Sequence, residues 1–229
     1  MRPRPMKFEI LDASFFCRST LEVAPDLLGM YLVREGLADR PIIGRVVETE
    51  AYTADDPAFH AWGIVDPPTG LVKPSGRGYD LFGPPGRSYI YLCYGMYWML
   101  NVLTEREGVA GCVLIRALEP VRGETLMWER RPAARKPVDL TSGPGKLTQA
   151  LDIDKAFHRR SLLEPPLYFA RPDRSDGFRV GTSSRIGITR AVDRPWRFFC
   201  ADNPFVSPGV PSDVAAEARR RSRRRTRRS

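Results

Sequence analysis

The sequence predicts a single domain of the mixed α+β class, with helices around a sheet and a β-hairpin protruding from it. Three observations lead there. A chain of 229 residues, 42% of them hydrophobic, can bury one good core but would be cramped as two domains. The stretch Gly44-Arg45-Val46-Val47-Glu48-Thr49-Glu50-Ala51-Tyr52 alternates as a strand does. Ser88 to Asn101 reads as two aromatic half-strands broken at Tyr94-Gly95, the pattern of a tight hairpin.

In chain order, Met1 to Phe8 carries positive charge, but Glu9 and Asp12 interrupt the next stretch and no secretion signal is read. Thr20 to Leu28 reads as a short helix closed by Gly29, with a strand over Met30 to Arg34 and a turn from Glu35 to Pro41. In the central strand, counting in twos places Ile42, Val46, Glu48, Glu50 and Tyr52 on one face and Ile43, Val47, Thr49 and Ala51 on the other. Two carboxylates and a tyrosine thus share a face, which by pattern alone describes an edge strand with a solvated side more often than a site. The turn-rich Thr53 to His60 then returns one of only two histidines toward the strand end. Trp62 to Arg87 is dense in Gly and Pro and reads as a long surface loop.

Further on, Gly111 to Arg116 reads as a buried strand and Val121 to Arg131 as a helix whose Glu and Arg residues form a solvated face. Thr141-Ser142-Gly143-Pro144-Gly145-Lys146 opens a helix that continues to Leu151. A nucleotide-binding phosphate loop would need Gly at 140 and Ser or Thr at 147, where this chain has leucine at both. The remaining reading is a cap, or a single phosphate held by backbone N–H groups and Lys146. Ser184 to Ile188 and Trp196 to Phe199 read as two strands, and Asn203 to Ser207 as a loop.

Composition narrows the classes. Cys17, Cys93, Cys112 and Cys200 show neither CxxC pairing nor histidines at zinc spacing, so the expectations are no metal site, no disulfide framework and a cytoplasmic setting. The most apolar run, Tyr89 to Leu103, is shorter than the roughly 20 residues of a membrane helix and contains Gly95 and Asn101. Net charge is +9, yet eight arginines lie within 219–228, and without them 28 basic residues face 27 acidic ones. Residues 1–210 are therefore read as the folded domain, and 211–229 as an arginine-rich tail without fixed structure that could attract phosphate in any sequence.

Taken in order, Glu48-Thr49-Glu50-Ala51-Tyr52, the following His60, Tyr89-Ile90-Tyr91-Leu92-Cys93-Tyr94-Gly95-Met96, Asn101 and Arg116-Ala117-Leu118-Glu119-Pro120 resemble the alkyladenine (3-methyladenine) DNA glycosylases. The resemblance spans roughly residues 20 to 207. It implies a curved, mainly antiparallel sheet and hydrolytic release of alkylated purines from double-stranded DNA, by a monomer without metal or cofactor, bacterial in type and working at the nucleoid. Such an enzyme flips the damaged nucleotide out of the stack, holds the base and directs water at the sugar carbon.

By the same resemblance Glu50 is the catalytic carboxylate and Arg116 holds it and its water. Tyr52, His60 and Tyr91 sandwich the base, since electron-rich rings favour cationic, electron-poor purines. Asn101 crowds the exocyclic amino group of guanine. Tyr94, with Met96 beside it, plugs the hole left in the duplex. Ser142, Gly143 and Lys146 take a backbone phosphate, while Glu48 is structural. The family's Thr-Pro-Arg-Asn segment has only scattered counterparts, such as Thr69 and Arg77. Among five lysines only Lys146 lies in a matching block, which argues against a lysine Schiff base and for a monofunctional enzyme. The alternative reading is a non-catalytic lesion-binding DNA protein.

If the tail tethers the protein to phosphate, deleting residues 219–229 will weaken DNA binding and flatten its salt dependence, with the log–log slope falling by about 0.9 for each phosphate released. Fluorescence titration at several salt concentrations reads this. An unchanged slope rules out the tether.

Overall fold

The computed structural model describes residues 8–36, 41–64, 76, 78–173 and 177–218. Within them lie ten strands and four α-helices: β1 (Phe8–Ile10), α1 (Ala13–Phe16), α2 (Thr20–Asp26), β2 (Tyr31–Arg34), β3 (Ile42–Thr53), β4 (Ser88–Cys93), β5 (Tyr97–Leu103), β6 (Gly111–Arg122), α3 (Glu124–Arg130), α4 (Pro144–Ala150), β7 (Leu163–Glu164), β8 (Leu167–Pro172), β9 (Val180–Ser183) and β10 (Arg197–Cys200). Residues 212–218, inside the stretch read as a tail without fixed structure, are also helical, and the Ser212 N–H donates to the Arg185 carbonyl. The strands make one open antiparallel sheet in the order β1-β8-β2-β3-β6-β5-β4, with β10 and β9 added beside β3 and β7 beside β8. Among the described residues no helix is long and apolar enough to cross a membrane.

Local chemistry explains the boundaries. Asp12 accepts from the Phe15 N–H at 3.2 Å and starts α1. After α2, Gly29 takes φ +83° and donates its N–H to Val46, turning the chain into β2. The sequence places a helix from Val121, but β6 continues to Arg122 and α3 begins only after Gly123, whose φ of +83° breaks the strand. A strand is likewise expected over Ser184 to Ile188. It lies earlier, at Val180–Ser183, because Arg185 leaves the ladder for a buried ion pair. β1, β7 and β8 were not legible in the pattern. In the 62–87 stretch, Tyr79–Phe82 forms a 3-10 turn, while Thr69 and Arg77 lie outside the described residues.

β3 is central, not an edge. On one side it pairs with β6 along its length; on the other, β2 covers residues 42–45 and β10 covers 48–50. Its faces also differ from simple alternation. Ile42, Val46, Val47 and Ala51 all enter the main core, with Phe16, Val23, Leu27, Ile115, Met127 and Leu147. The reason is a pair of bulges: two residues of β3 oppose one of β6 between Val46 and Glu48, and the reverse holds between Glu48 and Thr49, where Arg116 is the extra residue. Ile42 and Val46 thus stay on the helix side, while Glu48, Glu50 and Tyr52 turn to the other.

α4 packs tightly on β5. A Cβ on Gly145 would lie 2.8 Å from the Cβ, Cγ and Cδ1 of Tyr97, and Thr148 donates its hydroxyl to the Trp98 carbonyl at 2.9 Å. Gly145→Ala should therefore destabilise the protein by about 1–3 kcal/mol through overpacking against the hairpin. Urea unfolding tests it; a gain in stability would mean that helix propensity outweighs the clash.

Candidate active site

The bulges deliver two carboxylates and an arginine into one buried space. Glu48 and Glu50 are both fully buried and Arg116 nearly so. Burial alone would raise the Glu48 carboxyl, but Arg116 and Arg197 outweigh it, helped by the Ser207 amide, and hold it below the usual carboxylate range. Its oxygens accept from Arg116 Nε at 2.8 Å, Arg197 Nε at 2.7 Å, the Ser207 hydroxyl at 2.8 Å and the Ser207 N–H at 2.6 Å. Three of the four converge on Oε1 and the Ser207 N–H takes Oε2, so Glu48 serves as an anchor between two arginines and the Ser207 segment.

Glu50 is held more lightly. Its Oε1 accepts the Ile186 N–H at 2.7 Å and lies 3.2 Å from Arg116 Nη1, while Oε2 accepts the Tyr52 hydroxyl at 2.8 Å. Burial, and then the neighbouring Glu50 charge, push the Tyr52 phenol well above its ordinary value, so it stays a donor. The Arg116 cation survives burial because Glu50 and Glu48 outweigh the desolvation, and its pKa rises.

Beside Tyr52 opens a narrow cavity of about 60 Å³, lined by Tyr52, Ala58, Phe59, His60, Tyr89, Tyr91, Asn101, Cys112 and Ile188. His60 meets the Tyr91 ring edge-on with centroids 4.6 Å apart, and its Nδ1 is 3.1 Å from the Tyr89 hydroxyl. The Asn101 amide is committed: Nδ2 donates to the Tyr89 carbonyl at 3.0 Å, and Oδ1 accepts the Cys112 thiol at 3.6 Å. A larger cavity of about 640 Å³ lies elsewhere, among Met30, Arg45, Arg171 and Phe178. Arg45 is five residues from Glu50 along β3, about 16 Å at strand rise, so volume does not mark the chemistry.

Tyr52, His60, Tyr91 and Asn101 therefore meet around one slot, with Glu50 bonded to the Tyr52 hydroxyl and Arg116 paired to Glu50. Tyr94 and Met96 stand apart at the hairpin tip, 84% and 68% exposed. Tyr94 and Gly95 have φ of +51° and +71°, and Met96 N–H donates to Cys93 O, as in a type I′ turn. Lys146 donates to the Ser142 hydroxyl at 3.2 Å, next to Gly143 and the β5 interface.

Sequence reasoning missed Asp56, Tyr89, Arg185, Ile186, Arg197 and Ser207. One signal was available, since Arg197 interrupts the otherwise apolar Trp196 to Phe199 and so marked a buried partner for an acid.

The family model described as methylpurine-DNA glycosylase matches residues 14–204. A protein of Salinibacter ruber provisionally named 3-methyladenine DNA glycosylase is 54% identical over 205 residues, covering 89% of this chain and 99% of its own length. Proteins with the same provisional name from Chlorobaculum tepidum and Rhodopseudomonas palustris are 42% and 43% identical, over 88% of this chain and 93% and 90% of theirs. The class is thus that of the DNA glycosylases, hydrolases that act on DNA in the base excision repair of alkylation damage. Within it, the chain belongs to the methylpurine-DNA glycosylase family.

Because the folded state holds Glu48 ionised, its contribution to stability is complete above its ordinary value near 4.5 and fades as pH falls below it. Glu48→Gln leaves Arg197 without its buried counter-charge and Arg116 with Glu50 alone, and should cost about 3–5 kcal/mol at pH 7. It should also flatten the loss of stability as pH falls from about 5 to about 3. Urea unfolding across that range decides, and an unaltered pH slope would show that Glu48 is not the titrating group.

Proposed function

We propose that this glycosylase releases alkylated purines from duplex DNA, leaving an abasic site, through a water activated at Glu50. The observation that carries the reading is the Glu50 carboxylate: buried, braced by Arg116, Ile186 N–H and Tyr52, and with only one donor on Oε2. A carboxylate so placed can take a proton from water and stabilise the positive charge that develops on the sugar. In the step, water oxygen bonds to the sugar carbon, the N-glycosidic bond breaks with its electrons leaving on the base, and the water proton passes to Glu50. A cationic alkylated base needs no further proton to depart.

Tyr52, His60 and Tyr91 would supply aromatic surfaces for an electron-poor purine, and Asn101 would crowd the 2-amino group of guanine. Tyr94 supports extrusion from the duplex. A non-glycine residue at φ +51° costs about 1–2 kcal/mol, and its exposed ring gains no core packing in return. Filling the vacated stack is a role that fits. Lys146, with Ser142 and Gly143, would take a phosphate flanking the lesion. The enzyme would act as a cytoplasmic, monofunctional monomer at the nucleoid. A lesion-binding protein without chemistry would have no need of the buried Glu50 and Arg116.

Glu50→Gln keeps size and most hydrogen bonding but removes the base and the charge. Single-turnover release of 7-methylguanine from alkylated duplex should fall by about 10²–10⁴-fold or more, with lesion binding retained. An undiminished rate would remove Glu50 from the mechanism.

A further inference from the structure

Behind the base slot lies a second buried ion pair that the proposed chemistry does not use. Asp56 and Arg185 are both fully buried. Arg185 Nη2 donates to Asp56 Oδ1 at 3.0 Å, Nη1 donates to Asp56 Oδ2, and Nη1 also donates to the Ala51 carbonyl at 3.0 Å. The guanidinium carbon stands over the Tyr52 ring, 4.5 Å from its centroid, and 5.3 Å from that of Trp196. One aromatic face of Tyr52 is therefore occupied by a protein cation.

The placement has an electrostatic consequence. A cation on one face of a ring draws on the same quadrupole that would attract a positively charged base to the other, and the two like charges also repel through the ring. Asp56, bonded to both terminal nitrogens of the guanidinium, moderates this field. The pair is more than a rivet, because it joins the end of β3, the turn leading to His60 and the Arg185–Ile188 segment beside the slot. Ala51 precedes Tyr52, the Asp56 carboxylate accepts the Ala58 N–H at 3.0 Å on the way to His60, and Ile186, next to Arg185, donates to Glu50.

We propose that the Asp56–Arg185 pair determines specificity by setting, through Tyr52, how strongly the slot prefers a cationic purine over a neutral one of the same shape. The inference rests on the reading of Tyr52 as a base-stacking residue. It makes a prediction that a purely structural role does not, namely that the two single substitutions move the charge preference in opposite directions. Asp56→Asn leaves the arginine charged and unmasked, since guanidinium does not deprotonate in proteins, and the preference falls. Arg185→Gln removes the cation from the ring, and the preference rises whether the remaining Asp56 is ionised or takes up a proton.

The test uses full-length protein and two duplexes with 2′-fluoro sugars that resist cleavage, one carrying cationic 7-methylguanine and one carrying its neutral isostere, 7-methyl-7-deazaguanine. The ratio of their dissociation constants reports charge preference free of shape. Relative to the wild-type ratio, cationic preference is expected to drop about 3- to 10-fold in Asp56→Asn and rise by a similar factor in Arg185→Gln. Ratios that stay put, or that move the same way in both variants, overturn the proposal. Should a single variant fail to fold, Arg185→Lys reads the same quantity: its compact ammonium withdraws from the ring toward Asp56, and the preference should rise about 2-fold. No change there is equally fatal. Wild-type protein that binds neither lesion better than undamaged duplex would instead overturn the alkylpurine reading itself, and this inference with it.

Discussion

The structure depends on keeping charge inside a sheet. Glu48, Glu50 and Asp56 are buried with Arg116, Arg185 and Arg197, and a buried charge costs several kcal/mol unless an opposite charge and full hydrogen bonding offset it. Glu48 meets that requirement by taking Arg116 from β6, Arg197 from β10 and Ser207 from the segment after β10. Those partners lie up to 159 residues away in sequence, so the anchor ties the early and late parts of the chain to one strand. Arg116 is thereby fixed from behind, with its Nη1 turned toward Glu50.

The paired bulges in β3 and β6 are the device that makes this possible. A regular ladder would leave Ile42, Val46, Glu48 and Glu50 on one face, forcing either hydrophobic residues into the site or carboxylates into the core. One extra residue on each strand beside Glu48 resolves the conflict while preserving the register further along, where Glu50 faces Leu114 and Tyr52 faces Cys112. The four bonds to Glu48 and the three contacts of Glu50 arise from the same geometry. The two acids differ because Glu48 holds two arginines and Ser207, while Glu50 shares one arginine with it and bonds to Tyr52, which lines the slot.

Parts of this arrangement are written locally. The hairpin was legible because Tyr94-Gly95 can take two positive φ values between aromatic strands, a turn chemistry that depends on neighbours only. Gly29 and Pro144 punctuated the early and late helices for the same reason. By contrast β1 and β8, which pair across more than 150 residues, left no short-range trace, and the start of α3 was misplaced because Pro120 in β6 looks like a strand end. Asp56 and Arg185 could not be joined by eye, since an exposed turn acid and a buried one have the same letter.

The sequence by itself determined the α+β class, the hairpin with Tyr94 at its tip, and the order of Glu50, Tyr52, His60, Tyr91, Asn101 and Arg116, because strand alternation, turn propensity and motif order are properties of short stretches. Only the tertiary structure decided that β3 lies inside the sheet, that Glu48 anchors two arginines while Glu50 bonds to Tyr52 beside the slot, and that Arg185 lies against Tyr52. Those outcomes turn on which distant charges share a low-dielectric space. That is settled by packing of the whole chain and not by any window of it.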